Sequence, residues 1–589
     1  LFSGNTVFTR NSLVIAVLLL AGCQTEPVET PEVAGPVSAP SVPKAKSPDA
    51  GLRFVDVAEE AGCQFSYQNG MAAGYYSILE SLGGGAGFID LDGDGRLDVI
   101  VPGGGSFDEK GNPIGVNNYC GRSAPGGEKL QLTDCSLVSG LSSSAIYTHG
   151  VTASDVDNDG FVDLLLTGYG GVQFFHNCGD GTFILQPSEI GLTDSLWSSS
   201  AAWGDYNGDG AVDLYVVHYV DWSPENNPPC ESPDGKQKDV CSPRRFKGLP
   251  DSLYFSNADG SFSIVKGTAG TVCTGKGLGV VSVDIDGDSD VDVYVTNDTE
   301  KNALLINENG QFVDMAEATG TAYGDAGQEE GSMGVDAADY NNDGRCDLLV
   351  ANYENETFAV YRNFNESVFQ HVSRSTGVAA ACRLTVGWGT VASDLDSDGD
   401  VDIFVANGHV IRHPQNTGVE QHPLVLLNES GQRFRDVAAS AGSYTQERHK
   451  ARGAASGDID RDGDVDLVIS HVNEPVSILQ NENSPEHNWV NVRLIGRSSS
   501  REPIGARVRL DLENGSTLHL YQKGGTSYSS ESSPDLLFGC GKDKPQKLTI
   551  SWPSGIVQTI DTPPILSTIA VVEPLTKEDT GRWVIVPDR

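Results

Sequence analysis

The sequence predicts an all-β chain: seven copies of one strand–loop–strand unit, then a small β-sandwich-like domain. Three observations carry this. Glycine is abundant, at 69 of 589 residues, and hydrophobic residues make up only 38%, a composition that suits many short strands joined by tight turns. A motif of the form D-x-[DN]-x-D-x-x-x-D recurs seven times, starting at Asp90, Asp155, Asp205, Asp284, Asp339, Asp394 and Asp458. From about Asn488 the acidic motifs stop, and short alternating segments follow: WVNVRLIG, ARVRLDL, TLHLYQ, KLTISW and TIAVVEP.

The acidic motif defines the first element of each unit. Positions 1, 3, 5 and 9 offer side-chain oxygens. The ligand sets are Asp90, Asp92, Asp94 and Asp98; Asp155, Asp157, Asp159 and Asp163; and Asp205, Asn207, Asp209 and Asp213. They continue as Asp284, Asp286, Asp288 and Asp292, then Asp339, Asn341, Asp343 and Asp347. The last two are Asp394, Asp396, Asp398 and Asp402, and Asp458, Asp460, Asp462 and Asp466. Hard oxygen donors at this spacing suit Ca2+ rather than zinc, giving up to seven sites. An EF-hand would place a glutamate at position 12 and a helix on either side. Position 12 is instead Val101, Leu166, Val216, Val295, Val350, Val405 and Ile469, inside runs such as LDVIV and VDLYVV. Those runs are strand-like, so each loop joins two strands of a hairpin. A second element is a Phe or Leu followed eight positions later by Gly. It recurs at Phe54/Gly62, Leu132/Gly140, Phe183/Gly191, Phe262/Gly270, Phe312/Gly320, Phe369/Gly377 and Phe434/Gly442.

Stretches such as GGGAGFIDLDGDGRLDVIV and LYFSNADGSF resemble FG-GAP (VCBS-type) repeats of the integrin-α class. The resemblance spans residues 51–484 and implies a seven-bladed β-propeller with four antiparallel strands per blade. In that phase the last acidic motif lacks a fourth strand, and the unpaired Phe54–Gly62 copy is expected to supply it. Residues 485–574 contain IGARVRL, GGTSYSSESSPDLLFGCG, ISWPSG and VVEP, a run that resembles the ASPIC/UnbV domain. Cys540 departs from the aliphatic residue expected in its FGLG-like turn. Residues 575–589 are read as a tail. The combination resembles bacterial lipoprotein relatives of the cartilage acidic proteins, which implies an extracellular Ca2+-binding protein with adhesive associations and no known reaction.

The N-terminus points to export. Arg10 precedes the apolar run Leu13–Leu20, too short to cross a bilayer but suited to a signal-peptide core. Leu20-Ala21-Gly22-Cys23 resembles a bacterial lipobox. Residues 1–22 are therefore expected to be a signal peptide, and Cys23 to carry the lipid anchor. Residues 23–50 hold six prolines and read as an extended tether. Membrane contact is then through the anchor alone, at the cell envelope or surface, with inner and outer membranes both open. Of the ten remaining cysteines, Cys120 with Cys135 and Cys230 with Cys241 are the candidate disulfides by proximity.

Function is bounded more loosely. Acids outnumber bases 81 to 39, for a net charge of −42, which disfavours a nucleic-acid partner. The interval between Asp205 and Asp284 holds an insertion with Lys236, Lys238, Arg244, Arg245 and Lys247. Strand order places it opposite the acidic loops, together with Arg412 and His413, and with Arg448, His449, Lys450 and Arg452. This face is the candidate ligand surface, for an acidic glycan or protein segment. G-x-S-x-G, H-E-x-x-H and Walker motifs are absent, and His409 and His413 follow a strand rather than lie on a helix. The expected role is a non-enzymatic binding or adhesion module. A lectin-like glycan binder and a Ca2+-dependent polysaccharide lyase or hydrolase are the alternatives.

Overall fold

The computed structural model describes residues 51–587, except 127–128, 143, 258, 266–272, 366–367, 484–486 and 580. The predicted signal peptide, the lipidation site Cys23 and the tether lie outside the described residues. So does Gly270.

Seven antiparallel sheets are present among the described residues, one for each acidic motif; six have four strands, and the fourth sheet adds Glu330–Gly331 as a fifth strand. Sheet 2 shows the plan: Tyr147–Ser154 leads into the acidic loop, Asp163–Tyr169 leaves it, and Gly171–Asn177 and Phe183–Leu185 follow in hairpin order. The first strands are Gly87–Ile89, Tyr147–Ser154, Ser198–Gly204, Gly277–Val283, Val335–Ala338, Gly387–Ser393 and Ala451–Gly457. Each touches the next, and the seventh touches the first, so the sheets close a ring around an axis. Sheet 7 takes its fourth strand from the start of the chain: Phe54–Asp56 pairs with Ser477–Asn481, with Phe54 opposite Asn481. That closure removes an open sheet edge.

The sequence pattern accounts for this packing. The second strands are apolar on both faces because each sheet is stacked between two others. None of the seven position-12 side chains is more than 2% exposed. The Phe-to-Gly element is a seam between neighbours. Gly62, Gly140, Gly191, Gly320, Gly377 and Gly442 all have positive φ, and each abuts the carbonyl oxygen that begins the next sheet's fourth strand. A Cβ on Gly191 would lie 1.9 Å from the Phe262 oxygen, so only glycine fits there. A third repeated device is an asparagine at or near the end of the third strand. Asn177, Asn307, Asn363, Asn428 and Asn481 each donate to a loop carbonyl of the preceding sheet: Leu91, Tyr206, Ile285, Tyr340 and Leu395.

The C-terminal region forms two further four-stranded sheets around a shared core that includes Val490, Val508, Phe538, Leu548, Trp552 and Ile569. Cys540 is buried in that core as a free thiol. The expected tail is not all tail: Arg582–Ile585 pairs with Ser567–Val572 and extends one sheet. These residues are exposed, so no burial pattern marked them.

This domain also fills the ring. Its segment 524–533, within GGTSYSSESSPD, enters along the axis and reaches the first strand of every sheet. Gly524 exchanges backbone hydrogen bonds with Ser282, and Ser527 with Val335. Val151 donates to the Ser529 carbonyl, Phe88 to that of Glu531, and Ser533 to that of Ser456. The Ser200 hydroxyl accepts from the Ser529 amide. Tyr528 meets Trp388 edge-on, with ring centroids 4.8 Å apart.

Candidate metal centres and the opposite face

Each acidic loop is wound by its own aspartates. In six loops the position-1 carboxylate accepts from the amides of positions 5 and 6, as Asp90 does from Asp94 and Gly95, at 3.0 and 2.9 Å; Asp284 accepts instead from Gly287 and Ser289. The position-9 aspartate is committed at both oxygens. Asp98 Oδ2 accepts from Leu91 N, and its Oδ1 from Ser123 N on the third strand. The pair recurs at Asp163, Asp213, Asp292, Asp347, Asp402 and Asp466. Burial pushes these carboxyls up, Asp98 and Asp213 to about 8 and Asp163 to about 7. Neighbouring aspartates push the same way. A divalent cation would remove both penalties.

Five of the seven loops gather three possible ligand atoms within 4.8 Å of one another. The groups are Asp90, Asp92 and Asp94; Asp284, Asp286 and Asp292; Asp394, Asp396 and Asp402; Asp458, Asp460 and Asp466; and Asp157 and Asp159 with His176. His176 was not among the sequence-predicted ligands. It projects from the third strand, with Nδ1 3.2 Å from Asp163 and 3.5 Å from Asp157. Among the described residues, the Asp205 and Asp339 loops gather no such group of carboxylate or imidazole atoms; at position 3 they carry Asn207 and Asn341, whose amide oxygens are also hard donors. Asn341 donates to Asp347 at 3.0 Å, and Asp343 is paired with Arg345 and Arg362. The donors are oxygen-rich and anionic, which fits a hard cation. Asp288, Asp398 and Asp462 stand in their loops outside the three-atom groups.

The loop face is covered by the C-terminal domain. Arg493, Arg501 and Arg507 approach the position-1 carboxylates Asp90, Asp155 and Asp284 at 3.8, 3.2 and 3.4 Å. Ser498, His519, Gly539 and Trp489 stand against Gly210, Gly344, Gly399 and Gly463 of the other loops. No loop-length signal announced these contacts; they depend on how two domains dock.

On the opposite face the insertion is held by the Cys230–Cys241 disulfide, with an S–S distance of 2.00 Å. The Cys120 and Cys135 sulfurs lie 2.8 Å apart as thiols. Lys236, Lys238, Arg244, Arg245 and Lys247 are exposed, Lys236 beside Asp234 at 3.1 Å. Arg412 joins them: it is paired with Glu80, lies 4.1 Å over the Tyr76 ring, and its amide donates to Asp239 of the insertion, as does that of His413. Arg448 is exposed, and Lys450 is paired with Glu474 and Glu420. Arg452 does not belong to the exposed ligand face. It is buried, donates to the carbonyls of Ser81, Gly408, Ala451 and His409, and stacks on Trp388. Its charge is spent on backbone acceptors around the axis.

Comparison with known proteins matches these two parts of the chain. The family described as FG-GAP-like repeat matches residues 155–216, 284–350, 339–405 and 394–469. The family described as ASPIC and UnbV matches residues 496–578. The chain carries FG-GAP-like repeats and an ASPIC/UnbV domain. Cartilage acidic protein 1 of Xenopus tropicalis is 25% identical over 520 residues, covering 82% of this chain and 72% of that protein. Its Mus musculus counterpart is 24% identical over 428 residues, covering 69% of this chain and 61% of that protein. Among solved structures, the BP39L lectin of Burkholderia pseudomallei aligns with 68% of this chain and 98% of its own, at 11% identity and TM-score 0.38. An Agrocybe aegerita lectin aligns with 66% of this chain and 85% of its own, at 15% identity and TM-score 0.38. The FG-GAP-like matches all fall within the ring, and the ASPIC/UnbV match includes its axial plug.

Proposed function

We propose that this chain is an exported, lipid-anchored, Ca2+-binding propeller that acts as a binding or adhesion module for an extracellular protein or glycan. The observation that carries the reading is the one-sided coverage of the ring. The ASPIC/UnbV domain sits on the acidic-loop face, so recognition falls to the opposite face, where the insertion presents its exposed lysines and arginines. Loops on a rigid scaffold are suited to recognition. Ca2+, up to seven ions, would be held by the loop carboxylates and would neutralise them, with a structural role. The five groups whose ligand atoms converge support that number only in part. Recognition would then be of acidic segments, with the lectin-like reading as its glycan form.

Replacing Lys236, Lys238, Arg244, Arg245 and Lys247 together by serine tests this. Affinity for heparin, measured by surface plasmon resonance, should fall by about tenfold or more and weaken with salt. Unchanged binding, or none in the native protein, would sink the acidic-ligand reading. New reducing ends or unsaturated sugars on incubation with polysaccharide would favour the lyase or hydrolase alternative.

A further inference from the structure

The face opposite the acidic loops contains a cavity of about 380 Å³ close to the axis. The plug ends beneath it: Trp388, which lines the cavity, is the residue that Tyr528 meets from below. Tyr353 and Tyr219 form aromatic walls. Two carboxylates converge there. Asp298 Oδ2 accepts from the Tyr219 hydroxyl at 2.6 Å, and Glu356 Oε2 accepts from the amides of Gly331 and Tyr353 at 2.7 and 3.2 Å. Among the described residues, no hydrogen bond engages the other oxygen of either group.

Two local features bring these groups together. A Cβ on Gly331 would lie 3.2 Å from Asp298 Oδ1 and 3.5 Å from Glu356 Oε2, so a glycine leaves the space in which both approach. Asp298 is aimed by a bulge: the ladder between strand Asp292–Glu300 and Glu330–Gly331 shifts at Thr299. Thr299 has φ +60°, a left-handed conformation that β-branched residues avoid. Around the pair, Arg244 is the one cationic side chain among the described residues that line the cavity, against Glu231, Asp239, Asp298 and Glu356. Lys276, a second cation acting on Asp298, is paired with Glu300. Burial pushes Asp298 up to about 6 and Glu356 up as well, with Arg244 acting against the shift at both groups and Lys276 at Asp298.

We propose that this cavity binds a ligand presenting a protonated amine. The free oxygens of Asp298 and Glu356 accept its N–H donors, and the aromatic walls enclose its body. The proposal rests on the reading of this face as the recognition surface, but not on Ca2+ or on the basic rim. The rim and the cavity would then read opposite charges of one ligand.

Isothermal titration of the full-length protein tests it, with 2-phenylethylamine against 2-phenylethanol, and with 1,5-diaminopentane and methylammonium as further cations. The expected result is millimolar or tighter binding of phenylethylamine, about tenfold tighter than the alcohol. Glu356→Gln and Asp298→Asn should each cost about tenfold or more. Arg244→Ala should leave affinity unchanged or raise it. Glu356→Gln keeps an oxygen to accept from Gly331, so its melting temperature should match the native value and separates lost binding from lost folding. Equal binding of amine and alcohol, full binding by a folded Glu356→Gln protein, or no binding of any of the three cations would overturn the proposal. Lys238→Ser with Lys247→Ser should leave amine affinity intact. Heparin indifference alongside intact amine binding would therefore sink only the rim reading.

Discussion

His471 is held as a neutral imidazole. Its Nδ1 donates to the Pro475 carbonyl at 2.6 Å, and its Nε2 accepts from the Tyr444 hydroxyl at 2.9 Å. Protonation would remove that acceptor. Burial, with the adjacent His449, lowers the group from 6.5 to about 4. Between these values the unfolded chain binds the proton and the folded chain does not. Stability is therefore lost as pH falls from about 6.5 to 4, on the order of 3 kcal/mol from this group. A His471→Gln protein should show a shallower fall of melting temperature over that range. An acid limb as steep as the native one would refute the assignment. At this scale the sequence was partly legible. The aspartates were visible because they repeat at fixed spacing. His176 occurs in one repeat only, and the stitching asparagines act on a neighbouring sheet, so neither the motif nor its spacing exposes them. Arg452 sat in a basic run and looked exposed, but backbone carbonyls that only the closed ring assembles have buried it.

The acidic hairpin is the element whose chemistry most shapes stability. Its position-9 carboxylates are buried and hydrogen-bonded, and its remaining carboxylates crowd one another. A bound cation favours the folded state alone, by about 2.7 kcal/mol per site at a hundredfold excess over Kd. Calorimetry should show a higher melting temperature with Ca2+ than with EGTA, and elemental analysis should find calcium. No shift, with no calcium present, would remove the metal reading. Strand positions were readable because aliphatic runs follow each acidic loop, and the element at Phe54 was correctly assigned to close sheet 7 by counting fourth strands. The strand Arg582–Ile585 was missed for the opposite reason: it lies at an exposed edge and has no alternation to display.

For the molecule as a whole, the plug matters most. Tyr528 is fully buried, its ring against Trp388 and its hydroxyl donating to the Leu82 carbonyl at 3.4 Å. Truncation to Ala should cost about 3–5 kcal/mol and lower the melting temperature of the entire ring rather than of the C-terminal domain alone. Two separate transitions, with the ring unaffected, would mean that the plug only rests in the channel. The run GGTSYSSESSPD was recognisable as a family signature, but its serines give no periodic signal, and the partners of the run lie on seven different strands. The closing strand has a further consequence, for kinetics. The hydrogen bond from the Ile478 amide to Asp56 spans 422 positions. Bringing such distant segments together carries an entropic barrier of about 5 kcal/mol before any pairing repays it. An emerging chain therefore holds an unpaired edge until nearly the whole ring has been made, and that interval is when it is most exposed to aggregation and proteolysis.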